Sequence, residues 1–171
     1  MDIIIRDALE SDLEGIVAAY NTSITSKNST CDTQPITVEL RRNWLRSATK
    51  ERPIWVAEAK IDGHMQVVGY FSFSNFMNNR PGYSITCDIG IYIHSDFHKN
   101  GAGKALLEKA IHFCPEVGIE TIATTIFDSN EASKQLFYSF GFEKWGHMPR
   151  VARLDGIEKD LIMVGLRVDH S

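Results

Sequence analysis

One stretch constrains this chain more than any other: Ile89 to Cys114, which reads IGIYIHSDFHKNGAGKALLEKAIHFC. Ile89, Ile91 and Ile93 alternate with the period of a strand, and Tyr92 between them is β-favouring as well. The pattern breaks at His94-Ser95-Asp96 and turns through His98-Lys99-Asn100-Gly101-Ala102-Gly103. From Gly103 onward Leu106, Leu107, Ala110, Ile111 and Cys114 fall at helical spacing. A strand, a glycine turn and a helix start are the parts of a phosphate cradle. The N–H groups of a first helical turn lack intrahelical partners, and the helix dipole adds positive potential there. Glycine lets an anion approach the backbone closely and permits positive φ.

Two common phosphate cradles do not fit these residues. A dinucleotide fingerprint needs a third glycine where Leu106 stands, and a P-loop needs Ser or Thr where Ala105 follows Lys104. What remains is a G-x-G turn between strand and helix, followed downstream by Asn130-Glu131-Ala132-Ser133 and then Leu136-Phe137-Tyr138-Ser139-Phe140-Gly141-Phe142. In this order, and with these flanking elements, the two segments resemble the signature motifs of the GNAT superfamily of acetyl-CoA-dependent N-acetyltransferases.

The remainder of the sequence is compatible with that resemblance. The 171 residues suffice for one domain with a sizeable core, and 43% hydrophobic with 23% charged residues is ordinary globular composition. A net charge of −4 argues against broad binding to nucleic acid or anionic membranes. Cys31, Cys87 and Cys114 show no C-x-x-C spacing and read as free thiols in a reducing, cytoplasmic compartment. The apolar run Ile3-Ile4-Ile5 is too short for a signal peptide or a membrane span.

Periodicity predicts an opening strand at Ile3 to Arg6 and a helix whose apolar face is Leu13, Ile16, Val17 and Tyr20. A polar, irregular segment from Asn21 to Pro35 follows, long enough to be a binding loop or a lid. A helix is expected from Thr37, carrying Leu40, Trp44 and Leu45. Strands are expected at Ile54–Ala59 and Val67–Phe73 around an Asp62-Gly63 turn, then at Tyr83–Ile93, Thr121–Phe127 and Asp160–Val168. A helix over Glu131–Phe140 separates the last two. The expected fold class is α+β, a mixed and mostly antiparallel central sheet flanked by helices, as the GNAT resemblance also implies.

Arg80-Pro81-Gly82-Tyr83, then Asp88, then Ile91-Tyr92-Ile93, narrow the resemblance to the phosphinothricin acetyltransferase branch, which includes acyltransferases of methionine sulfone and related small amino acids. Ser29-Thr30, Gln34-Pro35 and the helix with Trp44 share in it. The resemblance implies that His98, Lys99, Asn100, Gly101, Ala102, Gly103 and Lys104 hold the pyrophosphate of acetyl-CoA. It implies that Ile91, Tyr92 and Ile93 bind its pantetheine arm like an added strand, and that Asn130 both caps its helix and contacts the cofactor. Phe73, Arg80 and Tyr83 would bind the acceptor, Arg80 taking an α-carboxylate, and Asp88 would act as base, through a water because Asp is shorter than the usual Glu.

Three positions depart from the branch. His98 stands where Gln or Arg is usual, Phe137 where many members place a proton-donating Tyr, and Glu158-Lys159-Asp160-Leu161 matches only in its last two residues. A thiol with a reference pKa of about 8.5 leaves without much help, so Phe137 is compatible with activity. Ser133 and the cysteines have no base placed beside them by any motif, so direct attack by the acceptor amine is expected rather than an acyl-enzyme. His64, His94, His112 and His147 lack ligand spacing, and no metal is expected. The resulting expectation is an N-acetyltransferase for a small amino acid or analogue, with homodimer pairing implied by the resemblance. The alternatives are an enzyme for another amine (an aminoglycoside, a polyamine or a peptide N-terminus) and a non-catalytic acyl-CoA-binding module.

Overall fold

The computed structural model describes residues 1–168. Its strands are β1 (Ile4–Asp7), β2 (Ile54–Ile61), β3 (His64–Asn75), β4 (Thr86–Ile93), β5 (Thr121–Phe127), β6 (Glu143–Leu154) and β7 (Ile157–Arg167). Its α-helices are α1 (Leu13–Ser26), α2 (Val38–Arg46), α3 (Ala102–Phe113) and α4 (Glu131–Ser139). The strands form one sheet in the order β1-β2-β3-β4-β5-β7-β6. Every pairing is antiparallel except β4 with β5. The expected fold class is therefore the one observed.

Alternation along the strands sorts side chains between the two faces. Trp55, Phe71, Phe73, Cys87, Ile89 and Ile122 pack with Leu106, Leu107 and Ala110 of α3 and Phe137 of α4 in the larger core. On the opposite face Val56 and Tyr70 pack with Ile16, Ala19 and Tyr20 of α1, and Trp44 and Tyr92 lie against them. Asp62 (φ 49°) and Gly63 (φ 86°) make the tight turn between β2 and β3, a pair of left-handed residues that suits a two-residue hairpin.

Four of the differences from the sequence expectation have a clear physical reason. Helix α1 continues through Ser26, into the segment that reads as irregular from Asn21. Thr22, Ser23 and Ser26 donate their hydroxyls to the carbonyls three residues back, at 2.8, 2.5 and 2.8 Å, so these poor helix formers satisfy themselves within the helix. Strand β4 starts at Thr86 rather than Tyr83, because Pro81–Tyr83 is a 3-10 turn. Strand β6 has no counterpart in the expectation: it is an edge strand, largely exposed, broken by register shifts near Gly146 and between Met148 and Ala152, and so it lacks apolar alternation. Strand β7 begins at Ile157, because the hairpin with β6 extends pairing three residues upstream of Asp160.

Candidate active site

The site is built where two central strands part. Strands β4 and β5 pair only at Thr86–Thr121 and Cys87–Ile122. Beyond Cys87 the edge of β4 that faces β5 is open. The His94 N–H bonds to Val68 on β3 at 2.9 Å, so by alternation the backbone groups of Ile89, Ile91 and Ile93 point the other way, into the gap. At Ile89 both groups are satisfied by side chains. The Thr124 hydroxyl donates to its carbonyl at 3.0 Å, and its N–H donates to Asp88 Oδ1 at 2.7 Å. The carbonyl of Ile93 accepts from His98 Nε2 at 2.9 Å. Both backbone groups of Ile91 and the N–H of Ile93 are left facing the gap without a ladder partner, where an amide-bearing chain can add as a strand.

The gap leads to the glycine turn. Lys99 (φ 64°) and Gly101 (φ 86°) are left-handed, which wraps the backbone ahead of α3. A methyl group added at Gly101 would meet nothing within 4 Å, and one at Gly103 only Leu136 at 3.7 Å and Ile93 at 3.9 Å. The space in front of the turn is thus empty of protein, at the N-terminus of a 12-residue helix. Lys99 and Lys104 are exposed, and among the described residues neither forms an ion pair. These residues fit a pyrophosphate. The His98 imidazole also fixes the Ile93 carbonyl and so shapes the open strand edge. Asn130 caps α4, its Oδ1 accepting from the Ser133 N–H at 3.2 Å.

Asp88 stands at the parting of the strands, on the α1 face of β4, opposite Ser74. Burial pushes its carboxyl above the ordinary carboxylate value, opposed in part by the Thr124 hydroxyl and the Ile89 N–H. Burial is the larger effect and prevails over both. The result is a carboxylate more basic than usual, with one oxygen engaged and the other available.

The acceptor residues expected from the sequence are only partly brought together. Arg80 and Tyr83 line one pocket of about 290 Å³ in the turn between β3 and β4, with Phe76 and Asn79, and Phe76 stacks edge-on against Tyr83 at 5.6 Å. Phe73 does not join them. It is 5% exposed, packs on Trp55 and Phe113 at 5.2 and 5.5 Å, and faces α3. Asp88 pairs with the next residue, Ser74, so strand parity puts Phe73 and Asp88 on opposite faces. Phe137 is likewise a core residue, edge-on to Phe142 at 4.9 Å. Tyr138 is exposed, and Tyr92 packs between Tyr20 and Tyr70.

Two contacts draw the segment after α1 over this region. Asn28 and Ser129 exchange hydrogen bonds at 2.6 and 3.4 Å, and Lys27 pairs with Asp155 of the β6–β7 turn. Sequence reasoning missed this bridging, which depends on pairs more than 100 residues apart. Nearby, Asp128, His147 and Asp160 bring ligand atoms within 4.8 Å of one another. Each is already engaged within the protein: Lys134 reaches Asp128 at 3.1 Å, and Asp160 takes His147 at 2.7 Å and the Arg150 N–H at 2.8 Å.

An open strand edge, a glycine turn capping a helix and a half-buried carboxylate on the same strand are the geometry of an acetyl-CoA enzyme, and comparison with known proteins agrees. Residues 17–142 match the acetyltransferase (GNAT) family. The chain belongs to that family. It is an acetyl-CoA-dependent acetyltransferase with the GNAT fold. It is 38% identical over 161 residues to YwnH of Bacillus subtilis, a provisionally assigned phosphinothricin acetyltransferase, covering 94% of this chain and 96% of the relative. It is 31% identical to the L-methionine sulfoximine/L-methionine sulfone acetyltransferase of Pseudomonas aeruginosa, over 100% of this chain and 98% of that one. Among solved structures it resembles a GNAT superfamily phosphinothricin acetyltransferase from Sinorhizobium meliloti in complex with AcCoA. The TM-score is 0.89 at 26% identity, covering 98% of this chain and 89% of the other.

Proposed function

We propose that this enzyme transfers acetyl to the α-amino group of a small amino acid or analogue of the phosphinothricin or methionine sulfone kind, with the amine attacking directly. The observation that carries the reading is Asp88, a half-buried carboxylate of raised basicity beside an unpaired strand edge. The relatives' names support the acceptor class.

Bound acetyl-CoA supplies the acetyl group already activated as a thioester. Backbone N–H groups from Lys99 to Lys104 hold its pyrophosphate, with Lys99 and Lys104 adding charge. Ile91 and Ile93 align its arm, and an N–H near Ile93 faces the thioester oxygen. Asn130 contributes from the N-terminus of α4. Asp88 accepts the amine proton through a water, since its free oxygen lies on a short side chain. The Arg80 guanidinium takes the acceptor α-carboxylate as a bidentate fork, with Tyr83 forming the wall beside it. The three unpaired cysteines fit a cytoplasmic setting, and no helix of the described residues is long and apolar enough to cross a membrane. Pairing as a homodimer, which light scattering would read, belongs to the same proposal.

The test is thiol release from acetyl-CoA with phosphinothricin, methionine sulfoximine, methionine sulfone, proteinogenic amino acids, polyamines and an aminoglycoside. Selective turnover of the carboxylate-bearing amines, weakened by Arg80→Ala through KM, is the expected result. Turnover confined to polyamines or aminoglycosides overturns the acceptor class.

A further inference from the structure

Beyond the cradle and Asp88, one group of side chains on the α1 face holds unused hydrogen-bonding capacity. Helix α2 carries three arginines. Arg42 and Arg46 reach Glu10 and Glu39. Arg41 turns inward instead and is half-buried, its Cζ 4.6 Å from the Tyr20 ring centre and 4.7 Å from that of Trp44. Rings contact the flat faces of a guanidinium, whereas its five N–H donors lie in its plane. Among the described residues nothing accepts from those donors.

Tyr70 is the second member. It is 1% exposed, yet its hydroxyl has no hydrogen-bond partner among the described residues. Buried hydroxyls are normally paired. This one is not sealed in, because Arg52 Nε is the only fully enclosed side-chain polar atom without a partner among the described residues. The little of Tyr70 that water can touch therefore includes its oxygen. Tyr92 stacks against Tyr70 with ring centres 5.5 Å apart, and its hydroxyl is equally without a partner. The rings that hold Arg41 touch the two phenols in turn, Tyr20 edge-on to Tyr92 at 4.9 Å and Trp44 edge-on to Tyr70 at 5.6 Å, so the cation lies one ring away from each. Burial pushes both phenols up, and the guanidinium opposes that push. Tyr92 also senses the carboxylates of Asp32 and Asp88. Asp32 is already engaged, accepting from the Tyr20 hydroxyl, which in turn accepts from Thr30 at 2.7 Å. Tyr20 is thereby fixed as one of the rings that hold Arg41.

We infer that Arg41, Tyr70 and Tyr92 form a second polar subsite, which receives the oxygen-bearing end of the acceptor's side chain. A guanidinium fork and two phenolic O–H donors match a tetrahedral sulfonyl or phosphinyl group, whose oxygens only accept. The subsite shares the α1 face with Asp88, while Arg80 holds the other end of the acceptor. Tyr92 is therefore a specificity residue here, in addition to flanking the pantetheine edge. The inference rests on the amino-acid reading above and deepens it.

The experiment compares kcat/KM for L-methionine sulfone and L-methionine, which differ only in the two sulfonyl oxygens. The comparison is made in the wild type, Tyr70→Phe and Arg41→Ala. Wild type prefers the sulfone, and each substitution cuts that preference about tenfold, as expected when a built hydrogen bond is lost, while methionine turnover stays within about twofold. Tyr70→Phe removes a hydroxyl that bonds nothing in the protein, so its fold is retained even if Arg41→Ala unfolds. Parallel losses for both acceptors, or an unchanged preference, overturn the subsite and leave the acceptor class standing. If the wild type acetylates neither methionine nor its sulfone and acts only on other amines, the amino-acid reading falls and takes the subsite with it.

Discussion

Replacing Asp88 by Asn separates catalysis from folding more cleanly than any other single change in this protein. Asp88 uses Oδ1 to accept the Ile89 N–H at 2.7 Å, and Asn retains that acceptor. Its other oxygen, the one free to take a proton, becomes an NH₂ group that cannot. Removal of a positioned general base costs about 10²–10⁴ in rate. With a water relaying the proton, the lower half of that range applies, a loss of about 10²–10³, or about 3–4 kcal/mol of transition-state stabilisation. Stability moves the other way. Burial raises the Asp88 pKa in the folded chain, so the folded state binds more protons than the unfolded one between the ordinary and the raised value. Stability therefore falls as pH rises through that window, and the penalty is fully present above the raised value. Asn carries no such charge. Steady-state thiol release, acetyl-CoA titration and thermal melting should together show turnover reduced at least 100-fold (~10²), cofactor affinity unchanged, and a melting temperature equal to or above wild type at pH 7. The wild-type kcat/KM should also rise with pH through the raised Asp88 value, a limb that the variant lacks. Turnover within about threefold of wild type, a loss too small for a base, would refute the assignment. So would a melting temperature lowered by several degrees, which would make Asp88 a structural residue.

Three further outcomes are expected. Gly101→Ala forces a side chain into φ 86°, which should cost about 1–2 kcal/mol of stability and raise the acetyl-CoA Kd, read by melting and by isothermal titration. Asn130→Ala removes the α4 cap at a cost of about 1 kcal/mol; if Asn130 also contacts the cofactor, the acetyl-CoA Kd rises too, and an unchanged Kd leaves it as a cap alone. Asp12, whose carboxylate is held by Arg6 at 2.8 and 2.9 Å and by the Leu9 N–H at 2.7 Å, overcomes its burial to sit below the ordinary carboxylate value. Its stabilisation is present above the unfolded pKa and lost as pH falls through the depressed one, so Asp12→Ala should lower stability by about 1.5–3 kcal/mol at pH 7 and by progressively less in acid, with activity unaffected.

The parts of this protein legible from sequence are those whose cause is local. The strand-to-helix change around Gly101 and Gly103, the Asp62-Gly63 turn and the Asn130 cap each depend on residues within a few positions of one another, and all appear in the structure where the residues indicate. Alternation at Ile89, Ile91 and Ile93 likewise identifies β4 from its own composition. Edge strand β6 escaped, because exposure on both sides leaves no apolar period to detect, and the last turns of α1 escaped because their hydroxyls bond to their own helix. What only the tertiary structure decided is non-local. Strand parity sends Phe73 into the α3 core while Asp88 faces α1. The parting of β4 from β5 after Cys87 leaves Ile91 and Ile93 with unpaired backbone groups, although nothing in those residues distinguishes them from an ordinary paired strand. Arg41 lies on rings from α1 and α2, beside phenols from β3 and β4, and its sequence neighbours Arg42 and Arg46 look no different from it. A residue's type and period determine which element it builds, whereas its partners depend on how distant elements pack, and much of the chemistry of this site is made of such partners.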